Sequence, residues 1–129
     1  MAGRKLKTSE SQEQQALIQW FRLKYPQHHM IAIPNGQWIA GEGKRRFALI
    51  NKYKAEGLTP GVSDLFLCVP KNGQHGMWLE MKAQGKTASS LSPAQQQWGC
   101  DMINAGYAAV WASGFEEAKE IIEEYLKGV

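Results

Sequence analysis

Residues 59–82 constrain the fold more than any other part of the chain, because they read as two short strands joined by a tight turn. The apolar run from Leu65 to Val69 and the segment from Met77 to Lys82 both have the length and composition of strands. An Asn-Gly pair at 72–73 lies between them and is typical of a β-hairpin turn. We therefore expect an antiparallel hairpin.

This hairpin would bring two carboxylates and one ammonium together. Asp64 falls opposite or diagonal to Glu80 and Lys82 across the strands. Glu80 and Lys82 share one strand face, while Leu79 and Met81 point to the other face and the core. Carboxylates suit Mg²⁺, and a lysine beside the ion can orient or help deprotonate a water for phosphodiester hydrolysis. The alternative is a solvated cross-strand charge cluster.

A second Glu-x-Lys sequence, at residues 117–119, serves as an internal comparison. It lies between Phe115 and Leu126, where apolar residues recur with helical spacing. Because residues two apart on a helix point roughly 200° away from each other, Glu117 and Lys119 cannot converge on one metal ion.

The first predicted helix is capped by Ser9 or Ser11 and runs to about Tyr25. Its expected inward stripe consists of Ala16, Leu17, Trp20, Phe21 and the stem of Lys24. Glu13 lies one turn before Leu17 on this stripe, and two interpretations stay open. A buried carboxylate needs a partner or a metal ion, whereas a glutamate in the first turn is favourable near the positive end of the helix.

A later helix begins with a clear capping signal. Ser92 is placed as the N-cap, Pro93 fits the first helical position, and Gln95 stands where a capping box requires it. This helix is expected to stop at Gly106. Capping accounts for Gln95, and a further contact with a phosphate or a water stays open.

Basic residues are clustered, although the net charge of +3 is only mildly basic. The clusters comprise Arg4, Lys5 and Lys7 at the amino terminus, then Lys44, Arg45 and Arg46, and then Lys52 and Lys54. A solvated surface explains each cluster taken singly. Together they favour neutralisation of DNA phosphates.

Other candidate sites fail on spacing. The glycine-rich segment 36–44 has Glu42 where a P-loop needs lysine, so no ATP site is expected; Trp38 within it would either pack or stack on an exposed base. The cysteines at 68 and 100 and the histidines at 28, 29 and 75 form no zinc pattern.

The order of elements predicts an α/β fold with a mixed central β-sheet flanked by α-helices. Beyond the elements above, we expect a strand at His29 to Ile33, a helix from Arg45 to Glu56 ended by Gly57, and a strand at Tyr107 to Ala112. Residues 1–8 would form a flexible basic tail and residues 9–129 a single domain. No apolar stretch has transmembrane length and no signal-peptide core is present, so a soluble cytoplasmic protein is expected.

An ordered series of segments resembles the virus-type replication-repair nuclease (VRR-NUC) domain of the PD-(D/E)XK nuclease superfamily, over a span from about Glu13 to Leu126. The segments are Gly61-Val62-Ser63-Asp64, Trp78-Leu79-Glu80-Met81-Lys82, Leu91-Ser92-Pro93-Ala94-Gln95, Ala105-Gly106-Tyr107 and Gly114-Phe115-Glu116-Glu117-Ala118. One departure is Ser63, which stands where the superfamily name places proline.

The resemblance implies a restriction-endonuclease-like core and Mg²⁺- or Mn²⁺-dependent cleavage of DNA. It assigns metal binding to Asp64, Glu80, the backbone carbonyl of Met81 and Glu13, catalysis to Lys82, and an accessory role to Gln95. Small stand-alone members resemble Holliday-junction resolvases, so a homodimer acting on branched or junction DNA in repair is expected, in a bacterial or phage-infected cell. The alternatives are a flap- or end-directed nuclease, a restriction-type nuclease, and an inactive nucleic-acid-binding module.

Overall fold

The structure, a computed structural model, describes residues 9–34 and 41–129. These residues form helices α1 (Glu10–Lys24), α2 (Gly43–Ala55), α3 (Pro93–Asn104) and α4 (Phe115–Leu126), and a short 3₁₀ turn at Ala88–Ser90. They also form strands β1 (Met30–Ala32), β2 (Leu65–Leu67), β3 (Met77–Lys82) and β4 (Ala108–Ser113). The amino-terminal tail and Trp38 lie outside the described residues, so the predictions made for them stay predictions.

The predicted hairpin is confirmed as the β2–β3 pair. The strands are antiparallel, with Leu65 opposite Leu79 and Leu67 opposite Met77. The turn residues Asn72 and Gly73 have φ of 55° and 73°, which matches the left-handed backbone of a type I′ turn. The first strand ends at Leu67, two residues earlier than the sequence predicted.

The four-stranded sheet is mixed, as the sequence predicted. Its strand order is β1-β2-β3-β4, with β1 antiparallel to β2 and β3 parallel to β4. Because parallel neighbours need a long crossover, the chain between β3 and β4 passes through α3. The fold class is therefore α/β, with the active-site candidates on β3 at the centre of the sheet.

One face of the sheet forms the main core beneath α1 and α4. Leu79 and Met81 on β3 are fully buried there, as expected from the alternation along the strand. Helix α1 contributes Leu17 and Phe21. The prediction that Ala16 also points into the core is wrong, because Ala16 is exposed.

Lys24, at the end of that stripe, is also exposed rather than buried by its stem. Its Nζ lies 3.1 Å from Glu123 Oε2 on α4, in an ion pair at the protein surface. Lys24 stays at the surface because its ammonium group is stabilised there by water and by the Glu123 carboxylate of α4.

The opposite face of the sheet carries aromatic residues and the charged end of β3. Trp78 packs against Phe66 with its ring tilted by 41° and meets Trp98 of α3 edge-on, with ring centroids 4.4 and 5.1 Å apart respectively. Glu80 and Lys82 follow Trp78 on this same face. Packing of α3 on the aromatic residues thus sets its first turn beside Glu80 and Lys82.

Several boundaries differ from those expected by one or two residues. Strand β1 covers Met30–Ala32, α2 begins at Gly43 instead of Arg45, and β4 covers Ala108–Ser113. Gly57 and Gly106 have φ of 114° and 96° directly after the C-caps of α2 and α3, so both predicted glycine stops are confirmed. Within the described ranges, no helix is both long enough and apolar enough to cross a membrane.

Candidate active site

Asp64 directly precedes β2 and is held there by its side chain and its main chain. The pairing of Leu65 with Leu79 brings Asp64 alongside Glu80 at the next position of the ladder. Asp64 Oδ2 accepts a hydrogen bond of 2.8 Å from the backbone N–H of Met81. The Asp64 carbonyl accepts another, also 2.8 Å, from the N–H of Ile33. These bonds fix Asp64 and its carboxylate immediately before β2 begins.

Glu80 and Lys82 meet at the side chain of Gln95 from α3. Gln95 Nε2 donates to Glu80 Oε1 at 3.1 Å, and Gln95 Oε1 accepts from Lys82 Nζ at 3.2 Å. Glu80 is only 6% exposed, so its carboxylate is nearly removed from water. The prediction that Asp64, Glu80 and Lys82 converge is therefore confirmed geometrically.

The capping role of Gln95 and its contact with the acidic site are not alternatives. Ser92 Oγ accepts from the N–H of Gln95 at 3.1 Å, and Gln95 Oε1 accepts from the N–H of Ser92 at 2.9 Å, which completes a capping box. The same Oε1 also accepts from Lys82, which leaves Nε2 free to donate to Glu80. The helix cap thus orients the amide that bridges the two charged residues.

Gly61 permits the close approach between the loop before Asp64 and the start of α3. It has φ of 84°, in the left-handed region, and a Cβ at this position would collide with the carbonyl of Ala94. Any side chain there would push the Asp64 loop away from Gln95. Gly61 is therefore part of the architecture of the site, although it contributes no functional group.

These residues line a cavity of about 380 Å³, which we call the catalytic cavity. Asp64, Glu80, Lys82 and Gln95 form its floor on the sheet and α3. Helix α2 adds Arg46, Ile50 and Lys54 to the lining, which recur every four residues and so share one helix face. The cavity combines acidic and basic walls.

The structure places Glu10, and not Glu13, at the catalytic cavity. Glu10 lines the cavity on the first turn of α1. Glu13 is buried and its Oε2 accepts a hydrogen bond of 2.6 Å from the N–H of Phe115, the first residue of α4. Gly114, the N-cap of α4, has no side chain to do this, so Glu13 caps that helix across the fold. Glu13 is therefore buried and partnered, and it also lies in the first turn of α1, so both interpretations describe it.

Crowding of the acids changes the protonation of Glu80. Burial, followed by the hydrogen bond and the negative charge of Asp64, raises the pKa of the Glu80 carboxyl to about 9, against a lowering effect of Lys82. The pKa of Glu10 is also raised, first by burial and then by the charge of Asp64. Lys82 therefore offsets only part of the effect of burial and of Asp64 on Glu80.

The predicted DNA-binding residues separate into two groups. Arg46 and Lys54 line the catalytic cavity, whereas Lys44, Arg45 and Lys52 are exposed on α2 and do not line it. No residue of α2 is buried, so the helix presents its basic side chains to the cavity and to solvent. The basic clusters were evident in the sequence, but the sequence did not indicate which of their residues lie in the same cavity as the acids.

The donor set suits a hard cation that keeps part of its hydration shell. Among residues 9–34 and 41–129, no three acidic, histidine or cysteine side chains form a ready-made metal cage. Magnesium is commonly held by one or two carboxylates with water completing its octahedron. Asp64 and Glu80 supply such a pair, and a cation between them would oppose the burial and the Asp64 charge that raise the pKa of Glu80.

Two sequence signals could have pointed to the residues that were missed. Glu10 directly follows the Ser9 N-cap, so it lies in the first turn of α1 at the helix end. Arg46, Ile50 and Lys54 repeat with a spacing of four, which places them on one face of α2. Neither signal reports what that helix end or face meets in the folded chain.

Comparison with known proteins gives a family match. The model of the VRR-NUC domain family matches residues 8–116. A solved structure described as a "VRR_NUC domain protein" superposes with a TM-score of 0.74 and 21% sequence identity, covering 95% of this chain and 91% of that chain. At this identity the likeness concerns the fold. No curated protein matches the chain significantly.

Proposed function

Because the chain belongs to the VRR-NUC family, we propose that it is a metal-dependent DNA endonuclease that hydrolyses phosphodiester bonds, with four-way junctions as the preferred substrate. Family membership gives a nuclease-type function and DNA as the substrate. The observation that carries the finer proposal is the convergence of Asp64, Glu80, Lys82 and Gln95 on one cavity that basic residues of α2 also line.

Asp64 and Glu80 would hold Mg²⁺ or Mn²⁺. Glu10 would be the further acidic ligand, the role that the sequence analysis gave to Glu13. The backbone carbonyl of Met81 is a further donor, because the Met81 N–H points to Asp64 and the C=O of a strand residue faces the same neighbour as its N–H. When bound, the ion would supply a nucleophile at neutral pH and neutralise charge on the phosphate.

Lys82 positions or activates the attacking water, and Gln95 keeps it in place. The Lys82 ammonium is held by Gln95 Oε1, which is itself fixed by the capping box of α3. Lys82 can therefore present its remaining donors to a water or to the phosphate without a large conformational search. Gln95 also orients the Glu80 carboxylate, so it acts as a positioning residue.

The basic face of α2 would hold the phosphates that flank the reacting one. Arg46 and Lys54 line the same cavity as the acids. A phosphate drawn to them would lie against the metal-binding floor. Lys44, Arg45 and Lys52 would extend this contact along the DNA backbone. Cutting a four-way junction symmetrically requires two such sites, which supports a homodimer.

The test compares end-labelled four-way junction, flap and linear duplex DNA of the same sequence in the presence of Mn²⁺ or Mg²⁺. Asp64→Asn and Lys82→Ala should abolish cleavage while DNA binding is retained. Lys119→Ala is the matched control, because Lys119 is the lysine of the second Glu-x-Lys sequence and lies on α4 near Trp20. Cleavage that persists in both active-site variants would refute the mechanism.

The same cleavage assay, together with a sizing column, tests the substrate preference and the oligomeric state. Faster cleavage of the junction, with a dimer on a sizing column at micromolar concentration, supports the junction-resolving function. A monomer that cuts flaps faster than junctions would replace it with the flap-directed alternative. DNA binding without cleavage under any metal condition would indicate an inactive binding module.

A further inference from the structure

A second cavity of about 340 Å³ lies beside the catalytic cavity, between α3 and the edge strand β4. The two cavities share Gly61, Glu80 and Gln95, so Glu80 and Gln95 separate them as a common wall. The remaining lining is mainly apolar and includes Val110, Trp111 and the exposed Ile103. We call it the side pocket.

Trp111 is the direct neighbour of Glu80 in the sheet. The two residues are paired in the parallel β3–β4 ladder, and paired positions carry their side chains on the same face. The indole therefore lies next to the carboxylate proposed to hold the metal ion. An aromatic surface in this position can stack on a nucleobase, because every base presents a π-face.

We propose that the side pocket receives an unpaired nucleobase from the nucleotide adjacent to the cleaved bond. This inference rests on the proposed function. A phosphate held by a metal ion at Asp64 and Glu80 would be covalently linked to a sugar and base on either side, and the side pocket begins at the Glu80 carboxylate. Its mainly apolar lining suits a base, and none of the described residues that line it is a lysine, arginine or histidine that would attract a second phosphate.

The pocket would also explain a preference for branched DNA. Inside a continuous duplex a base must be unstacked and unpaired before it can enter, whereas at a branch point or a flap this cost is smallest. The protein would then select DNA structure through a nucleotide that is free to leave the stack. Base sequence would matter little, because stacking tolerates all four bases.

Gly99 on α3 provides a way to fill the pocket without disturbing the fold. It lines the side pocket, and a Cβ built on it meets nothing within 4 Å. Gly99→Leu should therefore occupy the pocket, and Gly99→Ala should occupy it only slightly. Gln97→Leu introduces the same side chain on an exposed position of the same helix, outside the pocket, and is the matched control.

The experiment measures kcat/KM on a junction whose cleaved bond has been mapped, and on the same junction with an abasic nucleotide on either side of that bond. With wild-type protein, loss of the base at one side should lower kcat/KM about tenfold. Gly99→Leu should lower kcat/KM on the intact junction by a similar factor and should cut intact and abasic junctions equally. Gly99→Ala should lie between, and Gln97→Leu should match wild type.

Unchanged Mn²⁺ affinity and melting temperature would show that Gly99→Leu acts on the pocket alone. The inference is overturned if Gly99→Leu cuts the intact junction as well as wild type does, or if it stays as sensitive to the missing base. Dissociation of a dimer by Gly99→Leu, with equal losses on both substrates, would make this surface an interface between copies of the chain. Wild-type protein that cuts no DNA would refute the proposed function itself, whereas normal cleavage without base sensitivity refutes only the pocket.

Discussion

Replacing Glu13 and Glu10 separately by alanine should separate the stability of the fold from metal binding. Glu13 is 8% exposed and accepts a 2.6 Å hydrogen bond from the first N–H of α4. Glu10, which precedes it on α1, is exposed and lines the catalytic cavity. The two glutamates are three residues apart, yet the structure gives them different tasks.

The size of the Glu13→Ala effect follows from that hydrogen bond. A hydrogen bond to a charged group contributes about 1.5–3 kcal/mol, and the interaction of a carboxylate with a helix amino terminus adds up to about 1 kcal/mol. We therefore expect a loss of about 2–3 kcal/mol. Because a 129-residue domain unfolds with an entropy of roughly 2.1 cal/mol/K per residue, each kcal/mol lowers Tm by about 4 °C. The expected Tm shift is about 7–11 °C.

Glu10→Ala should leave thermal stability nearly unchanged but weaken metal binding. Loss of its favourable place at the start of α1 is offset by relief from the charge of Asp64, so Tm should stay within about 3 °C of wild type. Removal of a carboxylate from the metal site should weaken Mn²⁺ binding at least about tenfold. Thermal melts and calorimetric Mn²⁺ titrations on both variants make the comparison. Unchanged Tm for Glu13→Ala, or a Mn²⁺ affinity lost more in Glu13→Ala than in Glu10→Ala, would refute the assignment.

Three further predictions concern charge and packing around the catalytic cavity. In metal-free protein the folded state keeps the Glu80 proton up to about pH 9, whereas the unfolded state releases it near pH 4.5. The free energy of unfolding should therefore fall as pH rises between these values, and it should fall less in Glu80→Gln. Denaturant melts at several pH values measure this difference. Gly61→Ala should cost about 1–3 kcal/mol by overpacking against α3 and should lower cleavage, and a variant with wild-type Tm would contradict the close approach. Arg46→Ala and Lys54→Ala should each reduce the slope of the logarithm of DNA affinity against the logarithm of salt concentration by about one, and Lys52→Ala should reduce it less. Equal effects of all three variants would argue against a special role of the two residues that line the cavity.

Local sequence signals determined the hairpin and the placement of its charges. The Asn72-Gly73 pair matches a turn in which both residues have positive φ, and the alternation along β3 separates Glu80 and Lys82 from the buried Leu79 and Met81. Convergence of Asp64 with these charges then follows from hairpin register. Such features depend on residues close in sequence, which is why one chain without its relatives was enough to predict them.

Only the tertiary structure decided which acid of α1 reaches the site and which basic residues face it. Glu10 and Glu13 differ by less than one helical turn, so the rotation of α1 against the sheet and α4 selects between them. Helix α2 buries no residue, so its sequence holds no burial pattern from which its orientation could be read. The pairing of Glu80 with Trp111 likewise arises from the parallel docking of β4 after the α3 crossover. These contacts join segments far apart in the chain, and side-chain packing between whole elements sets them.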